Sequence, residues 1–362
     1  MDVKKGETSI EKSIRRQYIL LAVTLVFVLV TLILGTLLFR FYMSNFRTKQ
    51  ESYEYDKYYV MITDNYKSDF WKSIYKGAVD YAKEEGIFVE LLGQNISGEY
   101  SCEELMRIAI ASRVDGIIVY ANESDEMTEL INEATDNSIP VVTLYSDNTR
   151  SSRMSYVGVG SYNIGREYGK QINNIVREKR RDSIESENIG QRSPLEIAVL
   201  VNAGVGDSGQ NIIISAIQDC LRQVNITDSE YNISTVTIDN TNAFSVEESI
   251  RDIFLMENVP DVILCLNELD TVCAYQAVVD FNKVGRVNIL GYYDSDAIVN
   301  AVDRGVLYAT VSIDTRQLGE YSVKALNDYY EYGNTSQYYT ADITLISQDN
   351  VADFLKKEDG DE

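Results

Sequence analysis

The side chains that most often carry chemistry are sparse in this sequence. Histidine is absent from all 362 residues, which removes the commonest general base, the commonest metal ligand and every nucleophilic triad built on imidazole. The four cysteines, Cys102, Cys220, Cys265 and Cys273, form no CxxC pair or other metal-ligand spacing. Cys265 and Cys273 are the one close pair that a disulfide outside the cytoplasm would join, but a domain of this size needs no staple, and buried free thiols are the stronger expectation. The 56 Asp and Glu residues offer paired carboxylates of the kind glycosidases use, yet any chain this acidic contains such pairs. No GxxxxGK[ST] loop is present and no GxGxxG follows a strand, so no nucleotide cofactor is expected. The stretch NAGVGDSG at 202–209 lies between a strand and a helix and reads as a tight turn more readily than as an anion cradle. No metal, no cofactor and no enzymatic activity are therefore expected, which leaves binding chemistry.

The charge balance narrows what is bound. The first 49 residues hold 8 of the 33 Lys and Arg but only 3 of the 56 acids, so from Gln50 onward 25 basic residues face 53 acidic ones. A surface this acidic repels phosphate backbones and excludes nucleic acid as a partner. The basic N-terminal part surrounds residues 18–39, YILLAVTLVFVLVTLILGTLLF, an uncharged run of 22 that covers ~30 Å of hydrocarbon as a helix. It is longer than a usual signal-peptide core and has no A-x-A cleavage pattern after it, so an uncleaved signal anchor is expected. Basic residues flank it almost equally, but long domains translocate largely regardless of charge. The expected layout is a cytoplasmic tail at 1–17, a transmembrane helix at 18–39, a stalk at 40–57, a large extracytoplasmic domain at 58–350 and an acidic tail at 351–362.

In the large domain, apolar runs of strand length alternate with segments of helical period. Strands are expected at 58–63, 88–92, 116–120 and 140–144, with helices at 70–85, 102–112 and 125–137. The first helix is the clearest: Trp71, Ile74, Tyr75, Ala78, Val79 and Ala82 recur at three and four, with Gly86 as C-cap. The pattern resumes with strands at 196–201, 235–238, 261–266 and 288–291, and helices at 211–223, 246–257, 270–282 and 294–304. The charged stretch 177–194, which includes REKRR, is expected to be a helix end and an exposed loop. Tandem βαβ units imply two parallel α/β halves with a crevice between them at the strand C-termini, which is where ligands bind in such folds.

Seven stretches in order sharpen this: FWKSIYKGAVDYAKEEG (70–86), VDGIIVY (114–120), IPVVTLY (139–145), VGVGSYNIG (157–165), PDVILCLNE (260–268), VNILGYYD (287–294) and GVLYATVSIDTRQLGEYSV (305–323). Together they resemble the ribose-type, or type I, periplasmic sugar-binding proteins. The resemblance implies an α/β fold of two Rossmann-like lobes with three crossovers, preceded here by one transmembrane helix. Lobe 1 would be 58–160 with 314–341, and lobe 2 would be 161–313 with 342–350. The implied function is a membrane-tethered solute-binding protein that closes around a small sugar-like molecule. Its partner would be a sensor kinase or an ABC permease, and helix anchoring favours sensing.

The same resemblance implies the binding residues. Phe70 and Trp71 match ring positions that stack on the sugar, with Ser68 and Asp69 beside them, and Asn267 matches a ligand-contacting Asn. Elsewhere the chain departs from the family pattern. Tyr145 and Ser146 replace an Asp-Arg pair, Gly291, Tyr292 and Tyr293 replace Gly-Phe-Asp, and Gln210 stands where an Arg is usual. A frequent ligand-binding Gln aligns with Ile313. Either the ligand differs from ribose, or Asp69, Asp147 and Asp294 compensate from shifted positions, or the domain keeps the fold for protein contacts alone. Tyr145 and Tyr293 filling the crevice would favour the last alternative.

Overall fold

The computed structural model describes residues 19–40, 55–185, 193–202, 208–227, 229–240 and 242–355. The expected tail at 1–17 and most of the stalk lie outside these residues. So do 203–207 of the glycine-bearing stretch and the last seven positions. Contacts divide the chain into 1–55 and 56–362. In the first unit, helix α1 (Ile19–Arg40) is long and apolar enough to cross a membrane, and its side chains are exposed.

The second unit holds two six-stranded sheets. The first comprises β1 (Lys57–Ile62), β2 (Ile87–Leu91), β3 (Gly116–Val119), β4 (Val141–Leu144), β5 (Ser155–Val159) and β11 (Tyr338–Ala341), in the order β11-β5-β4-β3-β1-β2. The second comprises β6 (Leu195–Asn202), β7 (Tyr231–Ile238), β8 (Val262–Leu264), β9 (Asn288–Tyr292), β10 (Ala309–Ile313) and β12 (Ile343–Ser347), in the order β12-β10-β9-β8-β6-β7. All pairings are parallel except β10 with β12. The two orders are equivalent, each with a switch point where the second strand turns back beside the first, and such points open a crevice at the strand C-termini.

Strand alternation explains how lobe 1 fills both faces. Val60 and Ile62 of β1 pack with Leu105 and Met106 of α3 (Cys102–Ser112) and Met127 and Ile131 of α4 (Asp125–Asp136). Tyr59 and Met61 face the other way, toward Ile74 of α2 (Asp69–Glu84) and Leu318 of α10 (Thr315–Tyr332). The α2 and α10 backbones touch: a Cβ on Gly319 would lie 1.9 Å from the Ile74 carbonyl oxygen, so only glycine fits there. Lobe 2 uses α5 (Ser161–Glu185) against α6 (Ser208–Gln223) in the same way. There a Cβ on Gly165 would sit 2.5 Å from the Ile213 carbonyl oxygen. The second sheet also packs α7 (Ala243–Leu255), α8 (Glu268–Asp280) and α9 (Asp296–Asp303), which touch β7, β9 and β10 respectively.

Single residues join the sheets. Gly160 separates β5 from α5, Asp314 separates β10 from α10, and Asp342 separates β11 from β12. The Asp314 amide donates to the Asp342 carbonyl at 3.0 Å and the Asp342 amide donates to Gln317 Oε1 at 2.7 Å, tying two joints together. Joints this short localise any relative rotation of the lobes to a few backbone torsions.

Of three expectations, two need correction. The stretch 177–194 begins with the expected helix end: α5 runs to Glu185 as Lys179 pairs with Asp261 (2.9 Å) and Arg180 pairs with Glu230, both at strand entrances of the second sheet. The loop expected after it lies largely outside the described residues. The folded region also reaches past 350. Val351 is buried, and α11 (Ala352–Leu355) brings Phe354 against the core. The helix expected at 294–304 is shorter, since Asp294 and Ser295 precede it.

Candidate functional site

Each predicted site residue is placed by a strand end or a helix start. Ser68 caps α2, its hydroxyl accepting from the Trp71 amide at 3.3 Å. Its role at the observed position is therefore a helix cap. Asp69 follows in the first turn, exposed and paired with Lys72 at 2.9 Å. Phe70 and Trp71 then turn inward. Trp71 is only 4% exposed, and its ring meets Tyr120 edge-on at 5.6 Å and Tyr145 at 6.1 Å. Phe70 is half-buried and reaches Trp71 (5.3 Å), Tyr145 (4.9 Å) and Tyr293 (5.3 Å), all edge-to-face.

The last contact crosses the crevice. Tyr145 follows β4 and Tyr293 follows β9, equivalent strands of the two sheets, and both residues have left-handed backbone, φ +67° and +75°. Non-glycine residues rarely adopt this conformation, and it tends to mark positions held by surrounding structure for a purpose. A second bridge joins the lobes, the Tyr145 hydroxyl donating to the Tyr292 hydroxyl at 2.9 Å. Burial pushes the Tyr145 phenol well up, with neighbouring Tyr292 adding to the effect, and burial also raises Tyr293. Both remain neutral hydroxyls in the physiological range.

The side facing these rings from lobe 2 is amide and carboxylate. Asn267 caps α8: its Oδ1 accepts from the Asp270 amide (2.8 Å), and its Nδ2 donates to Asp270 Oδ2 (2.7 Å) and more weakly to Asn202 Oδ1 (3.5 Å). Asp270 is fully buried, and burial pushes its carboxyl up to about 6. Glu268 is raised chiefly by burial, with the charges of Asp69 and Asp294 contributing. Asp294 accepts from the Ser312 hydroxyl at 2.7 Å. Phe70, Asp69, Glu268, Tyr292, Tyr293 and Asp294 thus form one neighbourhood across the crevice, with rings contributed by both lobes and carboxylates on both sides.

Two predicted residues are placed differently. Asp147 is consumed within lobe 1: Arg153 bonds both of its oxygens, Nη2 to Oδ2 at 2.6 Å, while the Thr143 hydroxyl (2.7 Å) and the Asn148 amide (2.9 Å) fill the remaining acceptor positions on Oδ1. Gln210 lies half-buried in the first turn of α6, next to the undescribed 203–207. Tyr292 and Tyr120 were not among the predicted residues. Tyr292 ends β9, and its hydroxyl contact joins residues 147 apart and carries no local signal. All four cysteines are free thiols. Among the described residues no cluster of three or more Cys, Asp or Glu could hold a metal ion.

Two equivalent open α/β sheets, joined by three one-residue crossovers and meeting at their strand C-termini, define the class of two-lobed type I binding proteins. Residues 59–335 match the periplasmic binding protein domain, and the chain belongs to that family. Among solved structures, GanP, a glucose-galactose binding protein from Geobacillus stearothermophilus, is 23% identical with a TM-score of 0.65. That match covers 81% of this chain and 98% of GanP. XylFII is 26% identical with a TM-score of 0.63, again over 81% and 98% of the two chains. XylFII in complex with LytSN is 25% identical with a TM-score of 0.64 at the same coverage. No curated protein matches by sequence.

Proposed function

We propose that this is a membrane-tethered extracytoplasmic solute-binding protein that takes a small carbohydrate or related solute between its lobes and passes its closed state to a sensor partner. The crevice carries the reading: Phe70, Tyr145 and Tyr293 supply ring faces and edges while Asn267, Glu268 and Asp294 supply acceptors for hydroxyls. Sugars need both, since their C–H faces pack on rings and their hydroxyls seek polar partners. The apolar helix α1 supports tethering. The solved complex of XylFII with LytSN supports a protein partner, and a sensor suits a chain held at the membrane better than a shuttling transport receptor does. Ser68, Asp69, Trp71 and Gln210 complete the proposed lining. Asp147 would take part only if it left Arg153.

The interlobe contacts set the energetic scale of closure. One neutral hydroxyl bond contributes about 0.5–1.5 kcal/mol and one aromatic pair a similar amount. A ligand entering between Phe70 and Tyr293 displaces that pair, so its own contacts must exceed about 1–3 kcal/mol before closure becomes ligand-dependent. The same contacts favour a second reading, in which the crevice is sealed by its own rings and the fold serves protein contacts alone.

A thermal-shift screen of the full chain in detergent against pentoses, hexoses and inositols separates the two. A ligand at one hundred times its Kd adds ~2.7 kcal/mol. The expected result is a saturable shift with one solute, lost in Asn267→Ala. A panel that leaves the unfolding temperature unchanged, while a partner ectodomain still binds, would overturn the solute reading in favour of the second.

A further inference from the structure

Lobe 1 contains a separate cavity of about 280 Å³ at the C-terminal ends of β1 and β2, enclosed by the segment from Thr63 to Lys67 and by the loop after β2 with Leu105. Nothing in the crevice chemistry uses it. We infer that this cavity is a second binding site, for a small neutral polyol whose adjacent hydroxyls bridge Thr63 and Asp64.

The floor supplies the first argument. Thr63 is 5% exposed, and its hydroxyl has no hydrogen-bond partner. A buried hydroxyl left unmet is unfavourable, and it can both donate to and accept from a hydroxyl pressed against it. The neighbouring Asp64 is exposed at the cavity mouth, where partial desolvation raises its carboxyl against the lowering hydrogen bonds from the Trp71 side chain and local backbone amides. No Lys or Arg pairs with it among the described residues. Both Thr63 and Asp64 line the cavity, so a small polyol can present one hydroxyl to each.

The rim supplies the second. Lys67 stands over the Tyr66 ring, 5.5 Å from its centroid, and lies 3.9 Å from Glu99. A cation would meet the Lys67 ammonium and an anion would meet Asp64 and Glu99, which leaves a neutral solute as the match. The volume suits a ligand smaller than a drug-sized molecule. The loop is shaped for the purpose by Gly98, whose φ of +120° lets the Tyr100 ring lie across it; a Cβ there would meet that ring at 3.3 Å.

Trp71 connects this cavity to the crevice, because the side chain that bonds Asp64 also sets its ring against Tyr120 and Tyr145. It is the single tryptophan of the chain, so intrinsic tryptophan fluorescence reports on this junction alone. The full chain in detergent is titrated with erythritol and, as a control without adjacent hydroxyls, with 1,3-propanediol. The expected result is a saturable change with erythritol and none with 1,3-propanediol. Thr63→Val should weaken the erythritol response at least tenfold, Thr63→Ser should preserve it, and Asn267→Ala should leave it unchanged. Equal responses to both compounds, a full response in Thr63→Val, or no response in the native chain would each overturn the assignment and leave the cavity to water. Loss of the response in Asn267→Ala would place erythritol in the crevice and overturn it as well, while supporting the crevice reading.

Discussion

The two lobes are built on one strand order, yet each holds one well-buried carboxylate beside the crevice elements, Asp147 and Asp270, and the two are treated in opposite ways. In lobe 1, Asp147 after β4 is neutralised by Arg153 and hydrogen-bonded on both oxygens, and Arg153 in turn lies over the Tyr338 ring at 5.2 Å. In lobe 2, Asp270 sits in the first turn of α8, fully buried, with Asn267 as its side-chain partner and one oxygen unmet. Lobe 1 has spent its acid on rigidity and presents rings to the crevice. Lobe 2 keeps Asp270 without a cation among the described residues, although Asp261 and Glu230 at its strand entrances are paired with Lys179 and Arg180, and it presents Asn267, Glu268 and Asp294 beside the Tyr293 ring. A ligand between them meets rings from both lobes, with the orienting amide and carboxylates of Asn267, Glu268 and Asp294 concentrated on lobe 2. That asymmetry explains how equivalent folds can divide the work of recognition.

The sharpest way to break the comparison is to remove the lobe 1 pair. Arg153 and Asp147 side chains are only 9% and 17% exposed, and removing one partner of a buried pair leaves an uncompensated charge that costs about 3–5 kcal/mol. Asp147→Ala is expected to lower stability by that amount in urea unfolding of the full chain. Replacing both residues by apolar ones of similar size should recover most of it. A loss below about 1 kcal/mol would mean that the pair is solvated and that Asp147 is free to serve a ligand.

Asp270 gives the converse test. Its folded carboxyl is raised by burial from 3.8 to about 6, so between those values the folded state holds a proton that the unfolded state has released. The resulting stabilisation is complete below about pH 4 and disappears as the pH rises through 6. Over the full window it amounts to ~3 kcal/mol. Asp270→Asn, which stays neutral, is expected to abolish this component of the pH dependence and to be more stable than the native chain at pH 7. An unchanged pH profile between 4 and 7 would show that Asp270 does not titrate in that window.

These differences were unevenly legible in the sequence. The apolar period placed β1, α2, α3 and α4 to within a residue or two, and the structure adds the Ser68, Ser101 and Ser124 caps that start the three helices. The edge strand β11, with the sequence YYTA and two exposed positions, has neither the apolar run nor the alternation of a half-buried strand. α5 outlasts its apolar face because Lys179 and Arg180 find acids on distant strands. In the site, Phe70 and Trp71 follow from the family resemblance, and the structure puts both in the first turn of α2, just after the loop that follows β1. The fate of Asp147 depended on which way Arg153 reaches. The conformation of Tyr145 and Tyr293 depended on backbone torsions that no residue type announces.

The smallest expected effect bears on how the two lobes meet. Tyr145 and Tyr292 exchange one neutral hydroxyl bond across the crevice at 2.9 Å, while the Phe70 contact with Tyr293 is independent of it. Tyr145→Phe and Tyr292→Phe keep every ring and remove only oxygen. A double-mutant cycle on thermal stability should therefore return a coupling of about 0.5–1.5 kcal/mol, with the two single losses and the double loss similar in size. Because the bond forms only when the lobes are together, its loss also shifts the balance toward the open state, by about fivefold for 1 kcal/mol. A polar solute that replaces the bond with its own hydroxyls should bind the Tyr145→Phe chain more weakly only if it uses that phenol directly. Zero coupling would mean that the lobes stand apart in solution and that the ring contacts form only on closure around a ligand.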